Sequence, residues 1–166
     1  MRNSDAFASV TRFAPEQLTM NYNLLRPSGT DFDAARFADE LLRRNPVLSK
    51  KVCSALNCMS DEVPNALCEV LRFMFLVVHS EAGQLTPSRR VDLAWHEFIL
   101  CTKAYQDFCN EHFGKMIHHF PGGPQEVHRR QFETTLQHYE HFFGVPSQQY
   151  WGQRLDDINC GACEAL

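Results

Sequence analysis

The sequence lacks a long hydrophobic run and any block of basic residues. Its longest apolar run extends only from Phe73 to Val78, whereas a membrane-spanning helix needs about 20 predominantly apolar residues. Lysine and arginine occur together at most in pairs, and the formal net charge is −4. Binding to a nucleic-acid backbone depends on a basic face that displaces counterions. We therefore expect neither a membrane protein nor a nucleic-acid-binding protein.

Several catalytic signatures are also absent. The sequence contains no glycine-rich phosphate-binding loop, no nucleophile elbow and no HExxH zinc motif. Residues 1–30 lack the continuous apolar segment of a secretory signal peptide, because charged residues interrupt them. We expect the protein to stay in the cytoplasm.

The cysteine content agrees with a reducing compartment. Seven cysteines are an odd number and cannot all pair. Five of them lie among apolar neighbours in helical patterns, which is typical of reduced cysteines in a core. These five are Cys53, Cys58, Cys68, Cys101 and Cys109.

The hydrophobic pattern predicts an all-α protein. Apolar residues recur at helical spacing and show no alternating strand pattern of useful length. Capping residues, prolines and glycines divide the pattern into about five helices. The expected helices run from Asp31 or Asp33 to Asn45, over about 47–58, from Ser60–Asp61 to His79, over about 89–113, and over about 126–143.

Residues 1–166 are long enough for one domain with a sizeable core. We expect a compact helical core over 31–144, preceded by an extended arm at 1–30 and followed by a tail at 145–166. The helix that contains residues 73–78 is apolar almost all round, which predicts a central, buried position.

Asp92 and His96 form the first constellation with chemical potential. Residues four apart lie on one face of a helix, within reach of each other. A histidine in this position can bind a metal through one nitrogen while a carboxylate holds the other, or the aspartate can itself be a ligand. The same spacing fits a simple hydrogen-bonded pair on the helix surface.

His118 and His119 form the second constellation, in a loop that continues Phe120-Pro121-Gly122-Gly123. Irregular backbone of this kind often presents metal ligands or catalytic groups. Adjacent side chains in an extended segment point apart, so we expect only one of the two histidines to reach His96. A polar surface loop is the alternative. The remaining histidines are expected to be solvated or to cap helices, namely His79, His112, His128, His138 and His141.

Cys160 and Cys163 form the third constellation, a CxxC pair in the tail. Such a pair chelates metal or forms a redox dithiol. A single CxxC supplies only half of a structural zinc site, and the pair could complete the histidine cluster if the tail folds back. Two exposed thiols in a frayed tail are the alternative.

Residues 85–144 resemble the glycine-rich-domain-containing-protein-like family. The resemblance depends on an ordered series of segments, namely Trp95-His96, His118-His119-Phe120-Pro121 and Tyr139-Glu140. It implies that Asp92 and the histidines at 96, 118 and 119 belong to one pattern. Members of that family often have Trp-His-x-His, whereas this chain has Phe98 at the second histidine position.

These patterns favour a small metal-binding protein, with an enzyme as one option. The expected site is mononuclear zinc or iron, bound by His96 and by His118, His119 or both, with Asp92 as a ligand or its hydrogen-bonding partner. Three protein ligands and a water would leave an open coordination position. The alternative is a non-catalytic protein-interaction module with structural histidines. The partner, a small molecule or a protein, is not identified by the sequence.

Overall fold

A computed structural model of the protein describes residues 32–80, 83–120 and 122–152. The regular structure in these ranges is entirely helical. The all-α prediction is therefore confirmed, whereas the expected number of five helices is wrong, because these ranges contain seven. The helices are α1 Ala34–Arg44, α2 Pro46–Leu56, α3 Val63–His79, α4 Arg89–Leu100, α5 Thr102–Phe113, α6 Gln125–Phe143 and α7 Gln148–Trp151.

Local signals set several of the helix ends. The Asp33 carboxylate accepts a 3.0 Å hydrogen bond from the Arg36 backbone amide at the start of α1. The Ser88 hydroxyl does the same for the Val91 amide of α4, at 3.2 Å. Gly144 follows α6 with a positive φ of 80°, a conformation that glycine adopts without steric penalty. Asp33 is one of the two residues at which the sequence predicts the start of the first helix, and Gly144 is one of the glycines that divide the predicted pattern.

Helix α3 is the centre of the core, as its continuous apolar sequence predicts. It packs against α1, α2, α4 and α6, and Leu67, Val70, Leu71, Met74 and Leu76 are completely buried. None of the helices in the described part of the chain combines the length and the apolar character needed to cross a bilayer.

The expected long helix over 89–113 is divided at Cys101, whose ψ of 57° lies outside the helical range. On a straight helix, residues 98 and 105 would lie about 10.5 Å apart along the axis, at ~1.5 Å per residue. In the structure, the rings of Phe98 and Tyr105 meet edge to face with centroids 5.0 Å apart. The break thus lets two aromatic residues of one apolar stripe pack directly against each other, which a continuous helix prevents.

The second additional helix, α7, lies in the region that we expected to be a tail. Its Tyr150 and Trp151 are buried. The Trp151 indole donates a 2.7 Å hydrogen bond to Glu69 of α3, and the same carboxylate oxygen accepts one of 2.6 Å from Tyr139 of α6. A buried carboxylate with aromatic donors therefore attaches α7 to the core.

The five cysteines of the helical region are all free thiols. Only Cys68 and Cys109 are fully buried, whereas Cys53, Cys58 and Cys101 are partly exposed. The expectation of core positions is therefore correct for two of the five. Residues 1–30, Cys160 and Cys163 lie outside the described ranges, and the single-domain assignment stays a prediction.

Candidate metal centre

Three of the side chains singled out by sequence converge near the start of α4. Asp92 lies in the first turn of this helix and His96 one turn later, and His119 comes from the loop between α5 and α6. One potential ligand atom from each of the three lies within 4.8 Å of the other two. The fold thus joins the helix-borne pair to one histidine of the loop.

Asp92 is the buried carboxylate of this group, and only 2% of the residue is exposed. Within the described ranges, the basic side chains that lie against this carboxylate are the two histidines, His96 at 3.5 Å and His119 at 2.9 Å, and no lysine or arginine. The first turn of a helix favours a negative charge through the helix dipole. A buried carboxylate nevertheless needs a cation or several hydrogen bonds to compensate for lost hydration. The site is therefore suited to a positive charge.

The orientation of His96 is set by the backbone of its own helix. Its Nδ1 lies 2.7 Å from the carbonyl oxygen of Asp92. A carbonyl oxygen can only accept, so Nδ1 donates this hydrogen bond, and in the neutral ring Nε2 then carries the lone pair. About a third of the His96 side chain is exposed, 34%. A histidine held in this way presents Nε2 as a metal ligand.

His119 contacts both other residues of the site and the neighbouring Trp95. Its Nε2 lies 2.9 Å from Oδ1 of Asp92, and its ring centroid is 4.4 Å from that of His96. The buried Trp95 ring packs on the same imidazole, with centroids 4.9 Å apart. Only 14% of the His119 side chain is exposed. The ring is therefore held in one position by packing as well as by hydrogen bonding.

Tyr105 explains how a loop so far along the chain reaches α4. Its hydroxyl accepts a 3.3 Å hydrogen bond from the Trp95 indole and donates one of 2.7 Å to the carbonyl oxygen of Ile117. The chain reverses at Gly114, where φ is 66°. Tyr105 thus joins α4, α5 and the loop, and it places His119 two residues beyond the anchored carbonyl. Tyr105 is not among the candidate site residues that the sequence predicts.

His118 does not join the group. It is exposed, and its ring lies 6.4 Å from that of Phe120. Ile117 is buried, so the side chains at 117, 118 and 119 alternate between inside and outside, as in an extended segment. The expectation that only one histidine of the pair reaches His96 agrees with this geometry, which selects His119.

The two glycines after the histidines shape the turn into α6. Their φ angles are +89° at Gly122 and +139° at Gly123, a region that L side chains rarely adopt. A Cβ atom at Gly123 would lie 2.7 Å from Nε2 of His128, and that nitrogen donates a 3.1 Å hydrogen bond to the Gly122 carbonyl. The predicted solvated histidine at 128 therefore helps to hold the loop.

A cavity of about 390 Å³ adjoins the site. Asp92 and His119 are part of its wall, together with His118 and side chains from α3, α4 and α6. A cation held between the carboxylate and the imidazole would therefore face an open space. The sequence analysis did not predict this cavity, because its walls come from segments that are distant in sequence.

One family model matches the chain. It describes the UCP032817-like family and covers residues 38–137, which are 100 of the 166 residues. The resemblance to the glycine-rich-domain-containing-protein-like family is therefore wrong. Phe98, which stands where members of that family often have a second histidine, is completely buried in the core.

The matched residues include Asp92, His96, His118 and His119, and they exclude Cys160 and Cys163. Comparisons with curated proteins and with solved structures give no match. The chain belongs to the UCP032817-like family, an uncharacterised family.

Proposed function

We propose that this protein binds one divalent metal ion, zinc or iron, through Asp92, His96 and His119. The observation that carries the proposal is the buried Asp92 carboxylate, which among the described residues lies against two histidines and no lysine or arginine. A carboxylate and two imidazoles are a usual ligand set for zinc and for non-haem iron. A divalent cation at this point compensates the buried charge.

The distance between Asp92 and His119 requires little adjustment for metal binding. Two ligands at about 2.1 Å from a tetrahedral zinc lie roughly 3.4 Å apart. Asp92 Oδ1 and His119 Nε2 are 2.9 Å apart, so this pair has to open by about half an ångström. The cation replaces the proton that these two atoms share in its absence.

Three protein ligands leave a coordination position for water or a small molecule. Because Asp92 and His119 also line the cavity, this position faces it. His118 lines the cavity as well, but its exposed side chain is outside the ligand set. The two alternatives for Cys160 and Cys163, completion of the site and exposed thiols in the tail, both stay predictions, as does the cytoplasmic location.

One observation favours the alternative of a non-catalytic interaction module. The hydrogen bonds of His96 and His119 to Asp92 satisfy these residues without a metal. In that case the three residues lock the loop onto α4, and a partner protein binds an exposed groove nearby.

Elemental analysis of tag-free protein, after incubation with zinc or ferrous iron and removal of excess ion, separates the two functions. We expect about one ion per wild-type chain and close to none in His96→Ala or His119→Ala, because loss of one of three ligands removes most of the affinity. His118→Ala is the matched control and should retain the metal, as should His128→Ala. Equal metal content in wild type and His96→Ala would contradict the metal site and favour the interaction module.

A further inference from the structure

The cavity beside the proposed metal centre is small. Its volume of about 390 Å³ is near the lower end of the range of small-molecule sites, about 300–1,000 Å³. It therefore suits a compact ligand better than a large cofactor or a polymer. Because Asp92 and His119 form part of the wall, one end of such a ligand can reach the ion.

Apolar side chains from three helices form much of the remaining wall. Phe73 and Val77 come from α3, Trp95 from α4 and Val127 from α6. Phe73 and Trp95 are almost fully buried, with 1% and 4% exposed, so they support the wall from behind and offer little surface to a ligand. The accessible apolar surface of the wall comes from the partly exposed Val77 and Val127 and from Phe120, which is 73% exposed. An apolar ligand body covers this surface and removes it from water.

The described wall of the cavity contains three histidines, His118, His119 and His128, and no permanently charged side-chain cation. Thr86 and Gln131 already bond to each other, with the Thr86 hydroxyl donating to the Gln131 side-chain oxygen at 2.8 Å. Among the described residues that line the cavity, none is a lysine or arginine, and Asp92 is the only carboxylate. A phosphorylated or multiply charged ligand would lose its hydration there without a side-chain cation to replace it.

We infer that this cavity admits a small ligand with an uncharged, apolar body about the size of one aromatic ring and a single oxygen-bearing group that reaches the metal. The inference rests on the proposed metal centre, since the metal supplies the contact for the oxygen group. The apolar wall then discriminates between ligands that carry the same metal-binding group.

Two hydroxamates with the same donor atoms test this inference. Benzohydroxamate carries a phenyl ring, and acetohydroxamate carries only a methyl group. We expect zinc-loaded wild-type protein to bind benzohydroxamate at least about tenfold more tightly by titration calorimetry, a difference of about 1.4 kcal/mol. Part of the ring leaves water at the apolar wall, which accounts for a difference of this size.

Substitutions in the wall test whether the preference for benzohydroxamate over acetohydroxamate arises in the cavity. Val127 is 44% exposed on α6, so Val127→Asn should fold normally. We expect it to lower benzohydroxamate affinity at least threefold and to leave the zinc content and acetohydroxamate affinity unchanged. Val145→Asn is the matched control, because Val145 is 85% exposed and is not part of the wall. Val77→Phe, which fills the cavity from α3, should abolish the preference.

The outcomes separate the inference from the proposed function. Equal affinity of zinc-loaded wild type for the two hydroxamates would overturn the inference and leave the metal centre intact. A preference that Val127→Asn and Val77→Phe both retain would also overturn it, because the ring would then bind elsewhere. A protein that takes up neither zinc nor ferrous iron would overturn the proposed function and the inference with it.

Discussion

The hydroxyl of Tyr105 donates a 2.7 Å hydrogen bond to the carbonyl oxygen of Ile117. The two residues are 12 positions apart, and both are buried. Since Tyr105 also accepts the indole proton of Trp95, a single hydroxyl connects the helix that carries Asp92 to the loop that carries His119. The geometry of the candidate metal centre therefore depends on a residue that contacts none of its ligands through a described hydrogen bond.

Tyr105→Phe should weaken metal binding from a distance. The substitution leaves the Trp95 indole and the Ile117 carbonyl without their described partner, which typically costs about 1–3 kcal/mol when the groups are buried. We expect a lower free energy of unfolding in urea and a lower zinc affinity, because the loop loses its anchor. Tyr150→Phe is the control, since its hydroxyl bonds to Glu62. Unchanged zinc affinity in Tyr105→Phe would show that packing alone positions His119.

Asp92→Asn should separate metal binding from structural hydrogen bonding. The amide retains the shape of the side chain, and its oxygen can still accept a hydrogen bond from His119. The substitution removes the buried charge. Zinc at 100 times its dissociation constant should raise the wild-type free energy of unfolding by about 2.7 kcal/mol, and this gain should disappear in Asp92→Asn.

Without zinc, Asp92→Asn should be about as stable as wild type, because removal of a buried charge offsets the weaker hydrogen bond. Urea unfolding with and without zinc measures both effects. Two results together would support a structural role of the histidines instead. Asp92→Asn would be strongly destabilised without metal, and zinc would not raise the free energy of unfolding of the wild type.

Trp151→Phe should loosen the attachment of α7. The indole donates to Oε2 of Glu69, a carboxylate that is 95% shielded from solvent. Tyr139 and Arg72 still bond to Glu69 in the variant, so the loss is that of one charge-assisted hydrogen bond, about 1.5–3 kcal/mol. The urea midpoint should fall while the metal content stays at the wild-type value. A parallel loss of metal would mean that α7 also supports the site.

His112 should make stability depend on pH. Its ring packs between Phe37 and Phe108, with centroids 4.3 Å from each, and burial lowers the pKa of this imidazole below its usual value near 6.5. Glu111 and Glu40 partly oppose the shift, whereas Arg36 and Arg44 add to it. The folded state thus prefers the neutral ring.

This contribution is fully present above pH ~6.5, and it is lost as the pH falls below that value towards the lowered pKa of the folded state. We expect His112→Gln to lose less stability than wild type between pH 7.5 and 5.5, measured as the difference in urea midpoints. The exposed His141, changed to Gln, is the control. Identical pH dependence in wild type and His112→Gln would contradict the role assigned to burial.

Local signals account for the parts of the fold that the sequence predicts well. Asp33, Ser88, Pro46 and Gly144 act on backbone groups within a few residues of themselves, so their effect is visible in the sequence. The alternation of buried and exposed side chains in an extended segment is equally local. It predicts that one of two adjacent histidines faces the site, and it does not select His119 over His118.

Contacts between residues that are distant in sequence determine the features of the fold that the sequence does not predict. Cys101 breaks the expected long helix because Phe98 and Tyr105 pack against each other, and the Tyr105–Ile117 hydrogen bond then selects His119. Residues 148–151 form a helix that is held on the core, because the Trp151 indole donates a hydrogen bond to the buried Glu69 carboxylate of α3. The helical class, the central position of α3 and the residue types of the site all follow from local patterns in the chain. Which of these residues meet depends on tertiary contacts, because burial and hydrogen bonding need partners that come together only when the helices pack.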